Sequence, residues 1–198
     1  MPNPRKALVT KERTVYMYSE LWHASSCVLE AGLCNPRGSS WQFLSSIVLT
    51  AFTFEAYLNH VGPQVIACWE SLERLPPQAK FELLCESLGV QFPEGKGKRP
   101  LQTIAKLFEF RKTMAHGRSE TLKPKPIKRD INDSLDSYLG QRPLTAWEQV
   151  IQENSFAKCA RDDVEAVLKR LHNARPDPKE ALFTFGLGVH GATIIEES

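Results

Sequence analysis

The stretch LQTIAKLFEFRKTMAH, residues 101–116, decides the fold class. A row of residues spaced three or four positions apart runs through it: Leu101, Ile104, Phe108, Arg111 and Ala115, all apolar except Arg111. This spacing predicts an amphipathic helix whose apolar row is buried. Gly117 follows at once, and a left-handed glycine commonly ends a helix, so we expect the helix to end at His116.

A second strong helix is predicted from residue 39 or 40 to about residue 60, before Gly62-Pro63. Its row consists of Trp41, Leu44, Val48, Ala51, Glu55 and Leu58. Similar spacing predicts further helices over residues 7–33, about 64–74, 77–88, about 144–152 and 156–171. The sequence therefore predicts an all-α fold, an antiparallel bundle of four to six helices.

Two segments lie outside this helical pattern. Residues 118–142 form a long basic connection containing Pro124 and Pro126, in which residues 131–139 are compatible with a short helix. Beyond Arg175-Pro176-Asp177-Pro178 we expect either a short extended segment or a loose tail. The predicted organisation is a helical domain over residues 1–175 and a C-terminal segment over 176–198.

The composition favours a soluble globular protein, with 42% hydrophobic and 24% charged residues. The first residues lack the apolar core of a secretory signal, and the longest apolar run, residues 43–54, is too short to cross a bilayer. Five cysteines without a Cys-x-x-Cys pair are typical of reduced thiols. We therefore expect a cytoplasmic protein without a membrane span, and the histidines suggest neither a metal site nor a cofactor.

Positive charge is concentrated in one segment. Residues 94–129 hold eleven Lys/Arg against three Asp/Glu, a net +8, whereas the rest of the chain carries −6. Such a segment either binds a polyanion or is a solvated loop whose charge has no partner. Charge alone does not distinguish the two.

Each of the two strong helices places one charged residue in its apolar row: Glu55 in the first and Arg111 in the second. A buried charge without a partner is costly, and arginine cannot escape by losing its proton. We therefore expect Glu55 to face Arg111, or both to line one cleft. The alternative is a buried salt bridge that fixes helix register.

His116 stands five residues after Arg111, which places it roughly 140° further around a straight helix. The two side chains therefore do not converge on one phosphate unless the helix unwinds at Gly117 or two copies of the helix meet in a symmetric dimer. Otherwise a histidine at a helix end is a cap or a partner of the helix dipole.

The segment FRKTMAHG, residues 110–117, resembles the Arg-x4–6-His motif of the HEPN superfamily (higher eukaryotes and prokaryotes nucleotide-binding domain). In that family the motif lies toward the end of a late core helix and is often followed by glycine. AFTFEAYLNH, residues 51–60, is similar to the family's earlier core helix, where an acidic residue commonly faces the motif. Lys112 departs from the family, in which Asn, Asp or His often follows the arginine.

The resemblance implies a homodimeric, metal-independent endoribonuclease that leaves a 2′,3′-cyclic phosphate and a 5′-hydroxyl. His116 is then the general acid or base, Arg111 stabilises the charge on the scissile phosphate, and Glu55 orients Arg111 or tunes His116. Such proteins often act in defence or as toxins held in check by an antitoxin or a nucleotidyltransferase partner.

RNA backbone contacts are expected from the basic residues around the motif: Lys112, Arg118, Lys123, Lys125, Lys128 and Arg129. Tyr57 and Trp147 either stack on bases or belong to the core. Two other interpretations stay open. One is a non-catalytic HEPN-like module that binds nucleotide, nucleic acid or a protein; the other is an unrelated helical protein in which Glu55 and Arg111 form a structural pair.

Overall fold

A computed structural model describes residues 6–126, 128, 142–178, 180–186 and 188–195 of the chain. Most of these residues are helical, as the sequence predicts. The helices are α1 (Met17–Cys34), α2 (Ser39–Val65), α3 (Trp69–Leu72), α4 (Pro77–Ser87), α5 (Leu101–His116), α6 (Ala146–Val150) and α7 (Ser155–Asn173), and the strands are β1 (Lys6–Arg13) and β2 (Gly188–Ile195). Among the described helices, none is long and apolar enough to span a membrane.

The start of the predicted first helix is wrong, because the chain forms strand β1 before α1 begins at Met17. β1 pairs antiparallel with β2, from Lys6 opposite Ile195 to Arg13 opposite Gly188. β2 is the extended form of the C-terminal segment. The paired residues lie more than 170 positions apart in the sequence, so local periodicity does not predict their pairing.

Helix α2 continues past the predicted end, with Pro63 inside it. The fixed φ of proline is compatible with helix, and only two residues follow Pro63 before α2 ends. Gly62 is required at this point, because a Cβ there would lie 2.1 Å from a ring carbon of Trp69. Gly62, before which the sequence predicts the helix to end, thus lets the Trp69 ring approach the backbone of α2.

The bounds predicted for α5 are confirmed, but its expected C-cap is wrong. Gly117 has φ −54° and ψ 138°, an extended conformation, so the chain leaves α5 without a left-handed turn. Helix α6 is shorter than predicted and begins after Thr145, whose side chain and that of Glu148 form a capping box. The short helix considered for residues 131–139 lies outside the described residues.

The described residues divide into two compact units. The first unit comprises residues 6–23, 52–90 and 168–195. Its buried core includes Tyr18, Trp22, Phe54, Tyr57, Leu58, Val61, Phe81, Leu84, Leu168 and Leu171. The buried Lys80 ammonium donates to Asn59 Oδ1 at 2.9 Å and lies 5.9 Å from the centre of the Trp69 ring, so this cation is compensated.

The second unit comprises residues 24–51, 91–126, 128 and 142–167, and it contains all of α5 and α6. Its core includes Leu29, Phe43, Ile47, Ile104, Leu107, Phe110, Ile151, Val164 and Val167. Arg99 donates two hydrogen bonds to the Asp163 carboxylate, at 2.8 and 3.0 Å. This bidentate pair joins Arg99, two residues before α5, to α7, so it helps to fix where α5 begins.

Candidate functional site

Helix α5 carries the motif, and its buried face differs from the predicted row. The buried residues are Thr103, Ile104, Leu107 and Phe110. Of the predicted row, Leu101 and Phe108 are half-buried and Ala115 is exposed. The prediction was wrong in part because large apolar residues occupy adjacent positions of α5, which makes several rows look plausible.

Arg111 and His116 start from different sides of α5. Arg111 is half-buried and lies four residues after Leu107, about 40° from it around the helix. His116 is exposed and lies nine residues after Leu107, about 180° from it. Because α5 stays helical through His116, the helix end does not unwind before the motif is complete. One copy of α5 therefore presents these two groups in directions roughly 140° apart.

Glu55 is half-buried on α2, and it belongs to the first unit, whereas Arg111 belongs to the second. The row predicted for α2 is buried only in part: Ala51 and Leu58 are buried, whereas Leu44 and Val48 are half-buried. Trp41 is 62% exposed, while the polar Ser46 and Thr50 are buried. Their hydroxyls are satisfied, since Ser46 Oγ donates to the Ser25 carbonyl and Thr50 Oγ1 to the Ser46 carbonyl. The pairing of Glu55 with Arg111 stays a prediction.

The basic residues expected to hold RNA backbone are exposed wherever the structure describes them. They are Lys112, Arg118, Lys123, Lys125 and Lys128. Arg129 lies outside the described residues. Residues 117–126 are not helical, so Arg118, Lys123 and Lys125 follow His116 on a non-helical stretch of chain, whereas Lys112 lies on α5. Exposed ammonium and guanidinium groups at such a place are suited to phosphate contacts.

The two aromatic residues considered for base stacking have different environments. Tyr57 is fully buried, its hydroxyl lies 3.2 Å from His172 Nδ1, and burial raises its pKa well above the ordinary value. Tyr57 is therefore a core residue. Trp147 on α6 is half-buried and lines a cavity of about 730 Å³ between α5, α6 and the start of α7. We call this cavity, which lies within the second unit, the α5–α6 groove.

A polar cluster in the first unit was not predicted from the sequence. We call it the Arg175 cluster; its members are His60, Gln64, His172, Arg175 and Glu180. Arg175 donates to Glu180 Oε1 at 2.5 Å and to Gln64 Oε1 at 2.7 Å, and His60 Nε2 lies 3.0 Å from the same Glu180 oxygen. The Arg175 and Glu180 side chains are only 4% and 9% exposed. A buried ion pair of this kind is tolerated because further hydrogen bonds satisfy it.

Burial and neighbouring charges within the Arg175 cluster shift the pKa values of Glu180 and His172. Burial alone would raise the pKa of Glu180, but hydrogen bonds from Arg175 and His60 lower it to about 2. Burial, followed by the charge of Arg175, lowers the pKa of His172. Glu180 is therefore ionised and His172 is neutral at pH 7.

The Arg175 cluster anchors the segment that leads into β2. Phe183 stacks on Trp22 with ring centres 4.4 Å apart, and its carbonyl oxygen lies 3.1 Å from His23 Nε2. Phe185 stacks on the His23 ring, with centres 4.0 Å apart. With its ions paired and its aromatic neighbours packed, this cluster has a structural role. No sequence signal marked it, because its partners are brought together only by folding.

Comparison of the chain with protein-family models, curated proteins and solved structures gives no match. Within the described residues, no group of three or more His, Cys, Asp or Glu side chains is arranged to hold a metal ion. What the chain does must therefore be inferred from its own residues.

Proposed function

We propose that the protein is a metal-independent endoribonuclease of the HEPN type that works as a homodimer. The observation that carries this proposal is the end of α5, where an exposed histidine follows a half-buried arginine and precedes a run of exposed basic residues. A histidine open to solvent can exchange protons with a bound substrate. Polyanion binding beside it brings RNA phosphates within its reach. The bundle arrangement of the helices is part of the same proposal.

The geometry of α5 supports a homodimer. Arg111 and His116 point about 140° apart, so one helix does not place both on the same phosphate. In the proposed homodimer, two copies of the helix end meet across a twofold axis so that Arg111 of one subunit lies close to His116 of the other. The cleft between them holds both residue types twice, with the basic stretches on its two sides.

In this cleft His116 of one subunit accepts the proton of the ribose 2′-hydroxyl, and the 2′-oxygen attacks the adjacent phosphorus. The bond from phosphorus to the 5′-oxygen breaks, and the second His116 supplies the proton that this oxygen takes up. Arg111 donates hydrogen bonds to the phosphoryl oxygens as their charge increases. The products are a 2′,3′-cyclic phosphate and a 5′-hydroxyl. Glu55 retains the role that the resemblance implies, orienting Arg111 or tuning His116.

The proposal is tested by RNA cleavage in EDTA with the wild type, His116→Ala and Arg111→Ala. We expect each substitution to lower the cleavage rate by at least about 100-fold, the usual scale for an acid–base group such as His116 and for a charge-stabilising donor such as Arg111. His190→Ala is the matched control, because His190 is also exposed but lies on β2. Variants that cut as fast as the wild type contradict the assignment of the site.

A second function is favoured by the α5–α6 groove, which gives the chain a binding surface that needs no catalysis. In that case the protein is a HEPN-like module that binds RNA, nucleotide or a protein without cutting. Wild-type protein that binds RNA but is inert in the cleavage assay supports this function. An antitoxin or nucleotidyltransferase partner belongs to the ribonuclease proposal. Growth arrest on expression of the protein that His116→Ala relieves would support the ribonuclease proposal.

A further inference from the structure

The α5–α6 groove has the size and lining of a ligand site. Its volume of about 730 Å³ lies within the range of small-molecule pockets, about 300–1,000 Å³. Its apolar lining includes Trp147, Val150 and Phe156. Phe110, whose ring centre lies 6.5 Å from that of Phe156, extends this apolar surface. A cavity with aromatic side chains in its wall suits a flat ring system, which gains contact area by stacking.

The charges of the groove favour a neutral occupant over a phosphate. The charged residues that line it are Lys106, Glu109 and Glu153, all exposed and together carrying one net negative charge. A phosphate would meet two carboxylates and one ammonium group. Carboxylate oxygens instead accept hydrogen bonds from amino groups, as they do from the N4 amino group of cytosine. The groove is thus suited to a neutral ring that carries an amino group.

The groove and His116 lie on the same side of α5. Glu109 and Thr113 line the groove, and His116 continues their line one turn later. The step from Thr113 to His116 is about 4.5 Å along the helix axis. Arg118, which is exposed and does not line the groove, follows His116 by two residues and is available for a phosphate contact. This is the arrangement that single-stranded RNA needs: a stacking surface beside a cationic track.

We infer that the α5–α6 groove binds one nucleobase of single-stranded RNA, stacked on Trp147, and selects bases with an exocyclic amino group through Glu109 and Glu153. Adenine, cytosine and guanine carry this group, whereas uracil does not. The base belongs to a nucleotide next to the scissile phosphate, a statement that rests on the proposed function. Binding of the base itself does not depend on cleavage.

The test measures binding of fluorescein-labelled eight-nucleotide oligo(A), oligo(C) and oligo(U) in EDTA, with His116→Ala present in every protein so that RNA stays intact. We expect oligo(A) and oligo(C) to bind more tightly than oligo(U). Adding Trp147→Ala should weaken binding of oligo(A) and oligo(C) about 5- to 100-fold, the effect of one lost stacking contact. Trp41→Ala is the matched control, since Trp41 is 62% exposed and does not line the groove.

Glu109→Gln and Glu153→Gln test the selection separately, because both residues are exposed and their replacement should not disturb folding. Together they should reduce the preference for oligo(A) over oligo(U). If Trp147→Ala lowers the melting temperature by more than a few degrees, Trp147→Phe replaces it, and retained binding by that variant supports stacking.

Equal affinity for the three oligonucleotides, or equal behaviour of Trp147→Ala and Trp41→Ala, overturns the inference. Base-selective binding by a protein whose wild type does not cut RNA supports the groove and contradicts the proposed ribonuclease. Cleavage by a protein that shows no base-selective binding supports the proposed ribonuclease and contradicts the groove as a base site.

Discussion

Glu180→Gln tests whether the Arg175 cluster stabilises the first unit. The substitution removes the carboxylate that Arg175 and His60 share, while leaving a side chain of nearly the same size. Arg175, whose side chain is 4% exposed, would then keep Gln64 as a neutral hydrogen-bond acceptor. A buried guanidinium left without its counter-ion is strongly destabilising.

The loss of unfolding free energy in Glu180→Gln can be obtained in two ways. A carboxyl pKa lowered from 4.5 to about 2 corresponds to about 3 kcal/mol of stability at pH 7. Breaking a buried ion pair by removing one partner costs roughly 3–5 kcal/mol. We therefore expect Glu180→Gln to lower the free energy of unfolding by about 3 kcal/mol.

Urea denaturation at pH 7, followed by circular dichroism and tryptophan fluorescence, measures this loss. Glu20→Gln is the matched control, because Glu20 pairs with Arg13 at 2.6 Å on the surface, where the side chains are 36% and 59% exposed. Exposed pairs contribute at most about 1 kcal/mol. A loss in Glu180→Gln no larger than that of Glu20→Gln would refute the reasoning.

The difference in stability between wild type and Glu180→Gln should depend on pH. Between pH 4.5 and about 2 the unfolded chain binds a proton at Glu180 that the folded protein does not bind, so stability rises with pH in this interval. The advantage of wild type over Glu180→Gln should be complete above about pH 5 and should shrink as the pH falls toward 2. An advantage unchanged at pH 2.5 contradicts the ionised buried carboxylate.

Three further predictions concern packing, capping and RNA binding. Gly62→Ala should destabilise the protein by about 1–3 kcal/mol in urea denaturation, since its Cβ would lie 2.1 Å from the Trp69 ring; a neutral effect would contradict that close approach. Thr145→Ala should cost about 1 kcal/mol by removing the α6 cap, whereas Thr145→Ser should retain it. RNA affinity should fall with salt, and Lys123→Ala with Lys125→Ala should reduce the log–log slope by about 0.7 per lost phosphate contact; an unchanged slope excludes those contacts.

Local signals explain what the sequence predicted well. The bounds of α5 follow from its apolar spacing, which lies within residues 101–116, although Gly117 ends the helix in an extended conformation and not in the expected left-handed one. Which face of α5 is buried was harder, because Leu107, Phe108 and Phe110 are all apolar and neighbours in space decide among them. The same limitation applies to α2, where buried hydroxyls interrupt the apolar pattern.

Long-range contacts explain what the sequence did not predict. β1 and β2 are far apart in the sequence, and the side chains of residues 6–13 and 188–194 are exposed, so no alternation of buried and exposed positions marks them. The Arg175 cluster joins side chains from α2, α7 and the segment after it, up to 120 residues apart. The α5–α6 groove depends on where the short helix α6 lies against α5, which no local pattern encodes.

The central claim, cleavage by attack of the 2′-hydroxyl at the end of α5, is tested most directly by the chemistry of the RNA ends. We predict that wild-type protein in EDTA releases fragments with a 2′,3′-cyclic phosphate and a 5′-hydroxyl, and that His116→Ala preparations do not. Replacing the 2′-hydroxyl at the cut position with hydrogen should abolish cleavage there. Fragments that carry a 3′-hydroxyl and a 5′-phosphate, or cutting that continues at the deoxy position, would contradict the claim.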